Sequence, residues 1–147
     1  MQFMMRNFTI LEKSISIILI LIGCILLFTS IFMIYTLIEI ANNRTFVKPN
    51  YTFLTILKNY LLEIFASTSL IFGGIYMLRN NKFGWVSALI GSILNSFLFL
   101  KAIIEANTSH IETFFVIFIR ILITILFFSI TYCLLLRQFR TKYLEMN

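Results

Sequence analysis

The chain has 147 residues, the length of one domain, and is 60% hydrophobic but only 12% charged, with a mean hydropathy of +0.96. Soluble domains run nearer half apolar and a quarter charged, so an ordinary water-soluble fold is excluded. The formal net charge of +6 sits on basic residues beside and between apolar runs, with no basic cluster interleaved with aromatics; nucleic acid is therefore excluded as a partner, and the lipid bilayer is the expected one.

Four apolar runs reach the roughly 20 residues that a helix needs to cross a bilayer: 14–40, 53–78, 83–104 and 113–136. The alternating pattern of a membrane barrel is absent, and lipid leaves no backbone group unsatisfied, so the runs are read as helices. The expected fold is an all-α integral membrane protein, a single domain (1–147) of four transmembrane helices in an antiparallel bundle, followed by a short basic cytoplasmic tail over 137–147.

The first run contains LIGC (21–24), which fits a bacterial lipoprotein cleavage site. The residues after the cysteine, ILLFTSIFMIY, are more apolar than those before it, so Gly23 and Cys24 are read as lying inside one span. Neither Cys24 nor Cys133 has the spacing of a redox pair or a zinc site, and both are read as small apolar residues. Ser16, Gly23 and Ser30 recur every seven residues on one face. The connection over 41–51 holds the only proline, Pro49. Glycosylation triplets begin at Asn43, Asn50 and Asn107, and are read as chance products of an Ile-, Asn- and Phe-rich chain of bacterial type.

In the second run Asn59, Glu63, Ser67 and Gly74 share an arc of about 80° at 100° per residue. RNNK (79–82) is a tight turn that makes runs two and three a hairpin. The third run aligns Gly84, Ala88, Gly91, Asn95 and Ala102 on one narrow face. The loop 105–112 carries the single histidine, His110, beside Glu112, which together make neither a triad nor a metal site. In the fourth run Arg120 belongs to a stripe with Thr113, Thr124 and Thr131, all within about 40° of one another.

Each helix thus carries one small or polar stripe, the feature through which membrane helices approach closely. Gly23, Gly74, Ala88 and Gly91 are the expected packing residues. Glu63, Arg120, Asn95, Asn59 and Thr124 form the candidate intramembrane polar network. Glu63 lies about 5 Å past Tyr60 and Arg120 about 10 Å past Thr113, at 1.5 Å per residue, so the two fall at reachable depths. An Arg near mid-membrane costs roughly 3 kcal/mol on insertion scales, and pairing would offset it. Three readings compete: an ion pair joining helices two and four, the lining of a water-filled cavity or pore, or separate snorkelling to the surface.

Lys and Arg number seven at the N-terminal segment, the RNNK turn and the tail (Arg6, Lys13, Arg79, Lys82, Arg137, Arg140, Lys142) against four on the other side (Arg44, Lys48, Lys58, Lys101). Both termini are expected to face the cytoplasm, in a bacterial cytoplasmic membrane. Trp85, Tyr76 and Tyr132 would then form the inner aromatic belt. Glu39, Lys58, Asn59, Glu63, Lys101, Glu105 and Arg120 all fall at or above the outer half, which reads either as an outward vestibule closed by an apolar layer or as a crowded outer interface. No enzyme chemistry, metal or cofactor is expected. The four spans resemble small multidrug transporters and quinone-linked thiol reductases in topology only: the former carry their essential carboxylate on the first helix, whereas here the intramembrane carboxylate is read as Glu63 on the second, and the cysteine pair of the latter is missing. The expected function is action through assembly, as a homo-oligomeric channel-like protein or the membrane subunit of a larger complex. The alternatives are a small proton-coupled solute transporter using Glu63, and a non-conducting anchor or regulator whose basic tail binds a cytoplasmic partner or anionic lipid.

Overall fold

A computed structural model of the chain describes residues 2–42, 53–109 and 114–144. They form five helices: α1 (Gln2–Asn42), α2 (Phe53–Leu78), α3 (Lys82–Ser109), α4 (Phe114–Leu135) and a short α5 (Arg137–Leu144). Stretches of the first four are long and apolar enough to cross a membrane: Ile10–Glu39, Tyr60–Leu78, Lys82–Ile104 and Val116–Leu135. The chain is thus an all-helical protein with four candidate membrane spans, the arrangement of a multi-pass membrane protein. α1 and α3 extend past the runs read from hydropathy, most of all α1, which begins twelve residues before position 14, whereas α2 and α4 match their runs to within one residue at each end.

Each long helix packs on the next in sequence, α1 on α2, α2 on α3 and α3 on α4. The partners run in opposite directions. Ser30 meets Glu63 while Gly74 meets Ser16; Gly91 meets Leu70 while Gly84 meets Met77. One end of the bundle therefore holds the start of α1, the α2–α3 turn and the C-terminal helix, and is called the terminal end. The other is the far end.

Close approach comes from small residues. A Cβ on Gly74 would lie 2.5 Å from the Ser16 carbonyl oxygen, and one on Gly23 would lie 2.9 Å from that of Ser67, so α1 and α2 touch backbone to backbone. Gly91 brings α3 equally close to Leu70 of α2, and Gly73 abuts the backbone of Ala88. Where hydroxyls lie inside helices they mostly bond their own backbone: Ser16 to the Glu12 carbonyl, Ser92 to that of Ala88 and Thr131 to that of Phe127. Ser87 is different, donating across to the Ser69 carbonyl on α2 at 2.9 Å.

The α2–α3 turn is built by two asparagines. Asn80 adopts φ of 54°, the left-handed conformation that Asn tolerates better than other non-glycine residues. Asn81 N donates to the Tyr76 carbonyl and Asn80 N to that of Met77, the paired bonds of a Schellman cap. The Asn81 side chain then accepts from Phe83 N at 2.9 Å and caps the start of α3.

The buried apolar core holds Ile15, Leu19, Leu70, Met77, Trp85, Ala88, Phe127, Ile130 and Leu134, closed by Phe139 and Tyr143 of α5. Large apolar side chains such as Phe28, Phe32, Phe118, Leu122 and Phe128 point outward. On a soluble protein that surface would aggregate; in a bilayer it faces hydrocarbon.

Candidate functional site: a charged cavity and a buried clasp

Toward the far end, all four long helices contribute to one partly open cavity of about 220 Å³. Its polar lining is Ser30 and Thr29 from α1, Glu63 and Ser67 from α2, Asn95 from α3 and Arg120 from α4. On each helix the core residues lie farther toward the terminal end: Leu19 before Ser30, Leu70 after Ser67, Ala88 before Asn95, Phe127 after Arg120. Phe99, which also lines the cavity, stacks on Phe127 with ring centroids 5.9 Å apart. The cavity thus has polar groups from all four helices set among the apolar side chains of Leu26, Leu98 and Phe99, and is backed by an apolar layer.

Each polar group has a definite partner. Ser30 Oγ donates to Glu63 Oε2 at 3.2 Å, tying α1 to α2. Arg120 Nη1 donates to the Ala102 carbonyl at 3.2 Å, tying α4 to α3. Thr124 is buried and bonds the Arg120 carbonyl one turn back. Asn95, only 3% exposed, donates to the Gly91 carbonyl on its own helix. Glu63, Asn95 and Arg120 therefore share one cavity, yet among the described contacts Glu63 and Arg120 do not bond each other. The side chains of Asn59 and Thr113 lie outside the described residues, as do Pro49, His110 and Glu112. Among the described residues no group of His, Cys, Asp or Glu could hold a metal ion.

Comparison with known proteins finds no matching family, no matching curated protein and no matching solved structure. What this chain does must therefore be argued from its own chemistry.

A second polar cluster lies at the terminal end. Glu12 of α1 is 3% exposed and forms an ion pair with Lys142 while accepting a hydrogen bond from the Tyr143 hydroxyl. Lys142 also donates to Asn80 Oδ1 at 2.9 Å. Tyr143 stacks on Trp85, with centroids 6.5 Å apart and ring planes within 8°. Burial, reinforced by the hydrogen bond and negative charge of Glu12, pushes the Tyr143 phenol well above the ordinary tyrosine value.

The bend between α4 and α5 has a visible cause. In a continuous helix the Leu134 carbonyl would accept from residue 138. Here it accepts from Trp85 Nε1 at 2.8 Å, and the chain turns at Leu136 so that Phe139 and Tyr143 fold under the bundle. Trp85, expected in a lipid-facing aromatic belt, is instead buried by this helix, whereas Tyr132 is exposed as a belt residue would be. Sequence reasoning missed the clasp. Its available signals were the i, i+4 spacing of Phe139 and Tyr143 in an otherwise polar segment, and a lone acid, Glu12, at the mouth of the first span.

Proposed function

We propose that this is a small membrane protein that binds a polar solute within a single chain, in an outward-facing cavity centred on Glu63, and serves its movement across the membrane. The observation that carries this reading is the cavity itself. Charged groups inside a membrane domain are costly and mark solute or ion pathways when they face an aqueous space. Here an acid and a base from different helices line one space, backed by an apolar layer that blocks the path toward the terminal end. With both termini cytoplasmic, as the distribution of Lys and Arg favours, the cavity opens away from the cytoplasm.

The test is chemical access. Cys24 and Cys133 are replaced by Ala, and a cysteine is placed at Ala102, a half-buried residue of the cavity wall. A membrane-impermeant thiol reagent added outside intact cells should modify position 102, and a cysteine at Leu70, which is fully buried, should stay protected. Protection of position 102 in membranes, in a protein shown to be folded, would sink the cavity reading.

A second reading, action through assembly, has its own support. The first and last spans, α1 and α4, do not pack on each other as the consecutive pairs do among the described residues. Their outer faces carry Phe28, Phe32, Phe118 and Leu122, and another copy or a partner membrane protein could cover these flanks. A defined oligomer in mild detergent, with conductance abolished by changes on these faces, would favour it.

A further inference from the structure

We propose that the wall of the cavity built by α1, α2 and α3 is a receptor for a small primary ammonium ion. The inference rests on the reading of the cavity as a solute site and names the chemistry of the solute. It starts from where the protons on that wall point. Thr29 and Ser67 donate to the carbonyls of Leu26 and Glu63, one turn back on their own helices. Asn95 Nδ2 donates likewise to the Gly91 carbonyl at 2.8 Å. Ser30 Oγ has one proton for two acceptors, the Leu26 carbonyl at 2.9 Å and Glu63 Oε2 at 3.2 Å. The donors of this wall are thus turned largely to backbone, and its oxygen lone pairs are left for the cavity. Two acceptors are short of a donor. Among the described contacts the Glu63 carboxylate, with about four acceptor positions, receives only the shared Ser30 proton and no cation. Asn95 Oδ1 receives none. Asn95 is 3% exposed, yet no described side-chain oxygen is both sealed and unpartnered, so Oδ1 opens onto the cavity that Asn95 lines.

A carboxylate and an amide oxygen inside a membrane domain are costly unless donors meet them. An ammonium group brings several N–H donors and one positive charge to balance Glu63. Arg120 stays on the α4 side, bonded to the Ala102 carbonyl, and the ammonium asks no bond of it. The donor set suits divalent metals poorly. Calcium takes about six to eight oxygen ligands, with carboxylates prominent among them, whereas Glu63 is the one carboxylate on this lining and belongs to no described acidic cluster. Size narrows the class. The cavity, about 220 Å³, is smaller than the roughly 300–1,000 Å³ of drug-sized sites. It corresponds to about seven waters at roughly 30 Å³ each. Leu26, Leu98 and Phe99 add apolar surface, which suits a short alkyl body and offers nothing to a bare alkali ion. The same group occurs in free primary amines and in the headgroup of phosphatidylethanolamine.

The test uses the full chain in phosphatidylcholine nanodiscs, titrated calorimetrically with the chlorides of ethylammonium, tetramethylammonium and sodium. Ethylammonium should bind at least about tenfold tighter than tetramethylammonium, which has the same charge and no N–H, and than sodium, which has no alkyl body. Glu63→Gln, close to isosteric, and Asn95→Leu, which removes the unpartnered oxygen, should each weaken ethylammonium by about tenfold. The ligand series in the unaltered protein needs no variant to fold, so it decides alone if either variant is unstable. Repeating the titration with phosphatidylethanolamine present separates the sources: competition assigns the headgroup as occupant, and unchanged ethylammonium binding assigns a free amine. Tetramethylammonium or sodium binding as tightly as ethylammonium overturns the ammonium inference while leaving a cation site in place. Ethylammonium binding that survives both substitutions in folded protein overturns the assignment to this wall. Binding of none of the three also overturns the proposal, and labelling at position 102 then decides separately whether the solute-site reading falls with it.

Discussion

Asn80 shows how much one residue can decide. Its left-handed backbone lets α2 stop and α3 begin within three residues, and its side chain receives Lys142 from the C-terminal helix. Asn80→Ala should lower stability by about 1–2 kcal/mol, the cost of placing a non-glycine Cβ in that conformation. Asn80→Gly should lose less, because only the side-chain bond goes; denaturant melts in detergent would separate the two. Arg120 was legible in part. The 100° periodicity places it on the same face as Thr124, and that face does turn toward the other helices. Its relation to Glu63 was not legible, since depth along a helix says nothing about which neighbour a long side chain will choose. Among the described contacts Glu63 bonds Ser30 and Arg120 bonds the Ala102 carbonyl, so a Glu63→Gln/Arg120→Gln cycle should be additive within about 0.5 kcal/mol. A coupling of more than about 1 kcal/mol would mean that they form a direct bridge.

At the scale of the element, α5 is the segment that hydropathy alone leaves as a tail. An eight-residue helix with few apolar residues is marginal by itself. It is held by burying Phe139 and Tyr143 under the bundle and by the polar contacts to Glu12. Tyr143→Phe keeps the stacking and removes one of the described partners of the Glu12 carboxylate, which should cost about 1–3 kcal/mol. The pH dependence comes from the raised phenol. The contribution of Tyr143 is complete below the unfolded tyrosine value near 10, and is lost as pH rises from there toward the higher folded value. Trp85 is the single tryptophan and stacks on Tyr143, so its emission reports the clasp directly. Deleting 137–147 should shift that emission to the red; an unchanged spectrum would mean that α5 does not cover Trp85 in the membrane.

For the whole molecule, the contact of Glu12 with Lys142 and Tyr143 joins the two ends of the chain at one end of the bundle. Tags at the N- and C-termini should therefore share one sidedness in protease protection of oriented vesicles, and opposite protection would contradict the bundle. The positive-inside bias leads to the expectation that this side faces the cytoplasm, and on that expectation both tags should be cut only when the inner face is exposed. The same closure gives the molecule two unlike halves. The terminal end is packed and clasped, and the far end keeps its polar groups around a space.

The sequence by itself determined the four spans, the hairpin at 79–82 and the small-residue faces. Each of these depends on sums or periodicities over neighbouring residues: about 20 apolar side chains suffice to commit a helix to the bilayer, and a seven-residue spacing suffices to align a face. Tertiary structure alone decided that Glu63, Asn95 and Arg120 meet around one cavity, that Trp85 is buried rather than at the lipid interface, and that Glu12 receives the C-terminal helix. Those outcomes depend on helix rotation, on how closely Gly74 and Gly91 let neighbours approach, and on one carbonyl given up at the α4–α5 bend. None of these is a property of a local window of sequence.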